Sequence, residues 1–229
     1  MIDTNIIEQI KSGVKKLKDN FKNDYRFLKV ATKDEIENFE KQFSIEIPED
    51  FKWFLLNIAN GVISNHVTND NLFERIDFSN YYFEEDIYNP SLPFKLTKDF
   101  DFKTDEIEDF SNGTIHLVGH GCGCYSFLVV NGEEYGNVWV DNYASNSDVT
   151  PEKNIAKSRL FFFEWLNKEI EEKISQQNEF HEIKQKQLSE EKLQISKKYE
   201  RLKSNFNVSS QSSIHYKISL FEKIIRIFK

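Results

Sequence analysis

Residues 114–142 read TIHLVGHGCGCYSFLVVNGEEYGNVWVDN, and the pattern inside them decides the fold class. Three runs, TIHLVG, CYSFLVV and NVWVDN, are filled by branched and aromatic residues, and GHGCG and Asn131-Gly132 separate them. Branched and aromatic side chains suit a pleated surface, and glycine and Asn-Gly supply the positive φ that tight hairpin turns need. The stretch is therefore expected to be a three-stranded antiparallel meander.

Helical spacing surrounds the meander. Ile2, Ile6, Ile10, Val14 and Leu17 recur every three or four residues, one stripe of a first helix. Thr32 as N-cap with Glu35 three positions on makes a capping box, and Ile36, Phe39 and Phe43 share the face behind it. A third helix opens at Pro48 with Glu49 and Asp50 at its positive end, buries Phe51, Phe54, Leu55 and Ile58, and closes at Asn60-Gly61. Asn71 to Phe78 alternates as a strand does, and Tyr81 to Asp109 reads as loops with a short helix. Arg159 to Ile174, with Phe162, Phe163, Trp165, Leu166 and Ile170, is an amphipathic helix expected to pack on the sheet. The expected class is α+β: a twisted antiparallel β-sheet with packed helices, plus a C-terminal helical extension.

The charge divides the chain at the same place as the composition. Through Ser175 there are 19 Lys and Arg against 32 Asp and Glu, and beyond it 11 against 6, balances of −13 and +5. Two parts are expected, a domain over 1–175 and a basic helical extension over 176–229. In the extension, Leu188, Ile195 and Leu202 fall at heptad spacing, and Ile214, Ile218, Phe221, Ile225 and Phe228 share a face. That last helix reads as docking on its own domain or on a second copy, which leaves a homodimer through the C-terminal helices open, or else as a membrane-surface or partner-binding helix. An acidic body repels phosphate backbones and attracts basic proteins, so direct nucleic-acid binding is disfavoured and a basic protein partner favoured. No apolar run approaches the ~20 residues of a membrane span. The opening MIDTNIIEQI lacks the form of a secretory signal, and Cys122 and Cys124 are too close for an easy disulfide. A cytoplasmic location is expected.

The chemical motifs are weak. GHGCG precedes a strand, not a helix, and matches neither the dinucleotide nor the P-loop spacing. His116, His120, Cys122 and Cys124 are good ligand types, but four ligands within nine residues do not easily surround one tetrahedral ion. Neither cysteine sits at a helix N-terminus that would lower its pKa. No metal, no cofactor and no catalytic set is assigned. The acids that stand out are Glu84, Glu85 and Asp86, and Asp105, Glu106, Glu108 and Asp109, which are interleaved with Tyr81, Tyr82, Phe83, Phe100, Phe102 and Phe110. Such a mixture reads either as a solvated face or as aromatic anchors ringed by steering charge. Together with Asp141, after the third strand, these acids are the candidate partner-binding residues.

Three blocks also carry a family resemblance. IENFEKQFSIEIPEDFKWFLLNIANG (36–61), with Pro48, Asp50 and Asn60-Gly61, resembles the opening signature of the SUKH superfamily, the Smi/Knr-type domains. The meander, with Gly136, Val138, Trp139 and Asp141, is similar to that family's glycine-bearing strand pair and Gly-x-Val-Trp strand, and SRLFFFEWLNKEI (158–170) to its closing helix. The resemblance implies a binding module, commonly an immunity protein that blocks a polymorphic or contact-dependent bacterial toxin, many of them nucleases. A nuclease domain is basic because it grips phosphates, which suits an acidic inhibitor. A regulatory or scaffold protein is the alternative, as in fungal relatives that regulate cell-wall synthesis. The resemblance implies no catalytic residues, and the first helix and everything after Ser175 lie outside it.

Overall fold

The computed structural model describes residues 3–65, 71–78, 81, 88–101, 111–146 and 148–206. The chain divides into two compact units, Met1–Ser175 and Gln176–Lys229.

The first unit opens with α1 (Thr4–Asn20), capped by the Asp3 carboxylate, which accepts from the Asn5 N–H at 2.8 Å. Ile10, Val14 and Leu17 of the expected stripe are buried. After β1 (Tyr25–Phe27) comes α2 (Lys33–Phe43), whose capping box forms as the sequence implies: the Thr32 hydroxyl accepts from the Glu35 N–H at 3.2 Å and the Glu35 carboxylate accepts from the Thr32 N–H at 2.7 Å. Ser44, left-handed at φ 53°, ends the helix. In α3 (Glu49–Asn57), Phe51, Phe54 and Leu55 are buried as expected, but the helix already ends at Ile58, before Asn60-Gly61. Asn60 has a different task. Its buried side chain accepts from the Ile76 N–H at 3.1 Å and donates to the Ile76 carbonyl at 2.8 Å, clasping a segment sixteen residues away.

That segment corrects a second expectation. Asn71 to Phe78 is not a strand. Among the described residues it makes one bridge, Phe73 to Val62, on the edge of β2 (Val62–Ser64) that β1 leaves open. Its remaining backbone goes elsewhere, Glu74 N–H to the Leu117 carbonyl at 2.8 Å and Ile76 to Asn60. The alternation recorded the burial of Leu72, Ile76 and Phe78 and not a ladder.

The meander is present: β4 (Thr114–Gly121), β5 (Cys124–Val129) and β6 (Val138–Asp141) pair antiparallel in sequence order. Strand β4 runs two residues further than expected, so the turn shrinks to Cys122-Gly123, with φ of 53° and 78°. Positive φ at both central residues is the type I′ geometry whose twist matches a hairpin. Two strands without a sequence signal complete the sheet. After the single turn α4 (Tyr143–Asn146), β7 (Asp148–Pro151) adds to β6 and β3 (Phe100–Asp101) to β7, giving the order β3-β7-β6-β5-β4.

The sheet is covered on both faces. One carries Ile115, Leu117, Leu128 and Val138 into the main core with the helices, around Phe51, Phe54, Phe73, Phe162 and Trp165. The other carries Phe127, Val129 and Trp139 against Phe94, Leu96 and Phe100. Each such side chain contributes about 1.5–3 kcal/mol when fully removed from water.

The last helix of the first unit closes the core with Phe162, Phe163, Trp165, Leu166 and Ile170, as expected. It is the start of α5 (Phe162–Phe206), 45 residues with no Gly or Pro, whose residues beyond Ser175 belong to the second unit. There Phe180, Ile183, Leu188 and Leu193 are exposed. The amphipathic run from Ile214 to Phe228 lies outside the described residues. Among the described residues no helix is long and apolar enough to cross a membrane.

Candidate functional site

Of the acids singled out in the sequence, Glu84, Glu85, Asp86, Asp105, Glu106, Glu108 and Asp109 lie outside the described residues. Asp141 is described, and it does not face solvent. It is 2% exposed at the end of β6, with its carboxylate at the Tyr125 hydroxyl, which also hydrogen-bonds Tyr88. Burial, with Tyr88 and Asp141 adding to it, pushes the Tyr125 phenol well above its usual range.

The histidines and cysteines of the meander find separate partners. His116 Nε2 lies 3.3 Å from Glu74, His120 Nε2 2.8 Å from the Ser126 hydroxyl, and Cys124 Sγ 3.2 Å from the Ser145 hydroxyl, while Cys122 is exposed. Glu74 also accepts from the Gly119 N–H at 3.1 Å, and the hydrogen bond from His116 holds its pKa below the usual carboxylate value. Among the described residues no three His, Cys, Asp or Glu are placed to hold a metal ion.

A surface groove of about 590 Å³ gathers features that are scattered in the sequence. The N-termini of three helices converge on it: Asp3, Asn5, Ile6 and Gln9 from α1, Pro48 to Asp50 from α3, and Phe161, Phe163 and Glu164 at the start of α5, with Tyr135 and Gly136 between them. Each helix start brings an acid because a carboxylate satisfies free N–H groups and favours the positive dipole end. Asp50 serves two helices. One of its oxygens accepts from the Phe51 N–H at 2.8 Å and the other from the Phe163 N–H at 3.1 Å, tying α3 to a helix more than a hundred residues later. Burial raises its pKa against those hydrogen bonds. Glu164 accepts from the Phe161 N–H at 3.1 Å. Among the described residues the lining holds four carboxylates, Asp3, Glu49, Asp50 and Glu164, and neither Lys nor Arg.

Two aromatic rings stand out of this acidic floor, Tyr135 at 40% and Phe161 at 53% exposure. They are held firmly. The Asn137 and Phe161 backbones form an antiparallel bridge, and the Val138 N–H donates to the Leu160 carbonyl at 3.0 Å. Beneath the turn, the buried Glu134 pairs with Arg159, which lies over the Trp139 ring and donates to the Thr97 carbonyl. Gly136 has φ +85°, and a Cβ there would stand 3.1 Å from the Phe161 ring, so glycine lets that ring lie against the turn. Partial burial and the field of Glu46, Asp50, Glu40 and Glu49 push the Tyr135 phenol up to about 12.

Such an arrangement suits recognition: rigid rings, surrounding charge of one sign, and open access. Sequence reasoning missed it because Tyr135 and Phe161 are far apart in the chain and the acids come singly. The acids at the starts of α1, α3 and α5 were the available signal.

A family model for the SMI1 / KNR4 family (SUKH-1) matches residues 30–168. The chain belongs to this family. The SUKH-1 match takes in α2, α3, the whole sheet and the first turns of α5, and the family includes toxin immunity proteins. It omits α1, which supplies one wall of the groove, and the extension. No curated protein and no solved structure matches the chain.

Proposed function

We propose that this SUKH-1 protein is a bacterial immunity protein: it acts in the cytoplasm by binding a cognate polymorphic or contact-dependent toxin, a basic nuclease domain, and blocks it without turnover. The observation that carries this reading is the body's balance of −13 on a fold of this family. A nuclease must present positive charge to phosphates, and an acidic protein competes for that surface and is drawn to it over a Debye length. In this reading residues 1–175 form the binding domain, the acid runs at Glu84, Glu85 and Asp86 and at Asp105, Glu106, Glu108 and Asp109 supply the attraction, and the buried Asp141 acts on it only through Tyr125. Direct nucleic-acid binding has no part in it. The test is co-expression with the toxin encoded in the neighbouring gene, together with titration calorimetry of the purified pair. Rescue of growth and a tight equimolar complex are expected; neither rescue nor a complex would refute the proposal.

The exposed Phe180, Ile183, Leu188 and Leu193 favour a second reading, a regulatory scaffold or homodimer assembled through the extension over 176–229. Replacing these four by Gln in the full chain then lowers the mass in solution and abolishes function, whereas the toxin-binding reading leaves protection intact.

A further inference from the structure

The five-stranded sheet ends in two unequal edges. Strand β3 has two residues, whereas β4 has eight and is the longest strand of the sheet. An edge strand of that length, rich in branched residues, is a template on which a strand of a second chain can pair. Segment 71–76 lies along it. Leu72, Phe73 and Ile76 are buried and fix the register of this strap, and Phe73 bridges Val62 of β2. Glu74 then falls on β4: its N–H donates to the Leu117 carbonyl at 2.8 Å, and its carboxylate accepts from the Gly119 N–H at 3.1 Å. His116 Nε2 holds the carboxylate at 3.3 Å, and so does the Asn71 amide, which donates to it at 3.4 Å and accepts from the Ser64 N–H of β2 at 2.9 Å. The hydrogen bond from His116 lowers the pKa of Glu74 and keeps it ionised. The register of β4 slips beside these contacts, between His116 and Val118 and again between Gly119 and Gly121, which bends the edge away from a straight partner.

We propose that segment 71–76 is an edge guard: by occupying the Leu117 carbonyl and the Gly119 N–H, Glu74 keeps β4 from adding a strand of a second copy of this chain. An incoming strand has to displace both bonds and bury the Glu74 carboxylate without its partners. Because the same segment bridges β2, the guard also ties the small sheet to the large one. Its action is independent of what the domain binds.

Hydrogen exchange and analytical ultracentrifugation of the full chain test this. In the wild type the Gly119 amide should exchange about tenfold more slowly than an open edge amide, the protection given by a hydrogen bond to a charged group. Glu74→Ala should remove that protection while Leu128 and Val138, inside the sheet, keep theirs. The same variant should rise above the wild-type mass as concentration increases, whereas Glu74→Gln, which retains an acceptor oxygen, should stay at it. Adding Gly119→Pro to Glu74→Ala should restore the wild-type mass, since proline removes the N–H that a new strand needs and that β5 does not use. A Gly119 amide that is unprotected in the wild type overturns the proposal whatever the variants do. A Glu74→Ala chain that keeps the wild-type mass at every concentration also overturns it. Self-association that persists after Gly119→Pro is added places the contact elsewhere, or comes from misfolding, and overturns it too.

Discussion

Asp50→Ala should be the most damaging single substitution at the helix starts, and the loss can be worked from the contacts. Alanine removes two backbone N–H acceptors, those of Phe51 and Phe163. Each hydrogen bond to a charged group is worth about 1.5–3 kcal/mol, and burial of the carboxylate, which raises its pKa, takes part of that back. A net loss of about 3 kcal/mol is expected. With a urea dependence of about 2 kcal/mol per molar, the midpoint falls by about 1.5 M, and Tm by about 6–12 °C. Asn, which keeps one acceptor oxygen, should lose only about 1 kcal/mol. The two variants should also separate with pH. A pKa raised on folding means that the benefit of protonation is full below the unfolded value and disappears as pH rises through the folded one. The never-ionised Asn therefore improves relative to wild type as pH rises across that window. Urea denaturation followed by far-UV circular dichroism measures all three proteins. If Asp50→Ala lies within about 0.5 kcal/mol of wild type, or if Asn is as damaging as Ala, the double-cap argument is wrong.

Three further substitutions probe packing, titration and turn geometry. A methyl at Gly13 would stand 2.5 Å from Ile170 Cγ2, so Gly13→Ala should cost about 1–2 kcal/mol despite its better helix propensity, and adding Ile170→Leu, which removes that Cγ2 methyl, should recover most of that in thermal melts. Burial first, and then the neighbouring Glu172, raise Glu169 from 4.5 to about 7. Wild-type stability should fall between about pH 4.5 and 7, and Glu169→Gln should match it at pH 4 yet exceed it by about 2 kcal/mol at pH 8, with partial exposure allowed for. Cys122 holds a left-handed conformation in the I′ turn, so Cys122→Asn should add about 0.5–1 kcal/mol and leave toxin protection unchanged. Lost protection would point to thiol or metal chemistry.

Short-range signals were the most readable part of the sequence. Thr32 and Glu35 announced α2 because a capping box is a local device, and the meander showed itself in strand-favouring residues broken by turn residues. What depended on distant partners was hidden. Asn60 looked like a helix terminator, but its amide is committed to Ile76, and Asn71 to Phe78 alternated although it meets β2 only at Phe73 before its backbone turns to Leu117 and Asn60. Strands β3 and β7 are too short to show a period. The composition change at Ser175 suggested a break, yet no residue there interrupts a helix, and α5 continues through it. Asp50 was legible as an acid at the start of α3; its second bond, to Phe163, was not. The groove is the extreme case, since its rings and acids come from four places in the chain and meet only once the sheet and helices have packed.

The central claim, neutralisation by binding alone, is tested most directly by titrating the neighbouring-gene toxin's nuclease activity with the full chain. The account predicts a linear loss of activity to a sharp endpoint at one chain per toxin, with association slowed by salt and activity restored when the complex is dissociated. Inactivation by substoichiometric amounts of the chain, or toxin that stays inactive after separation, would contradict it.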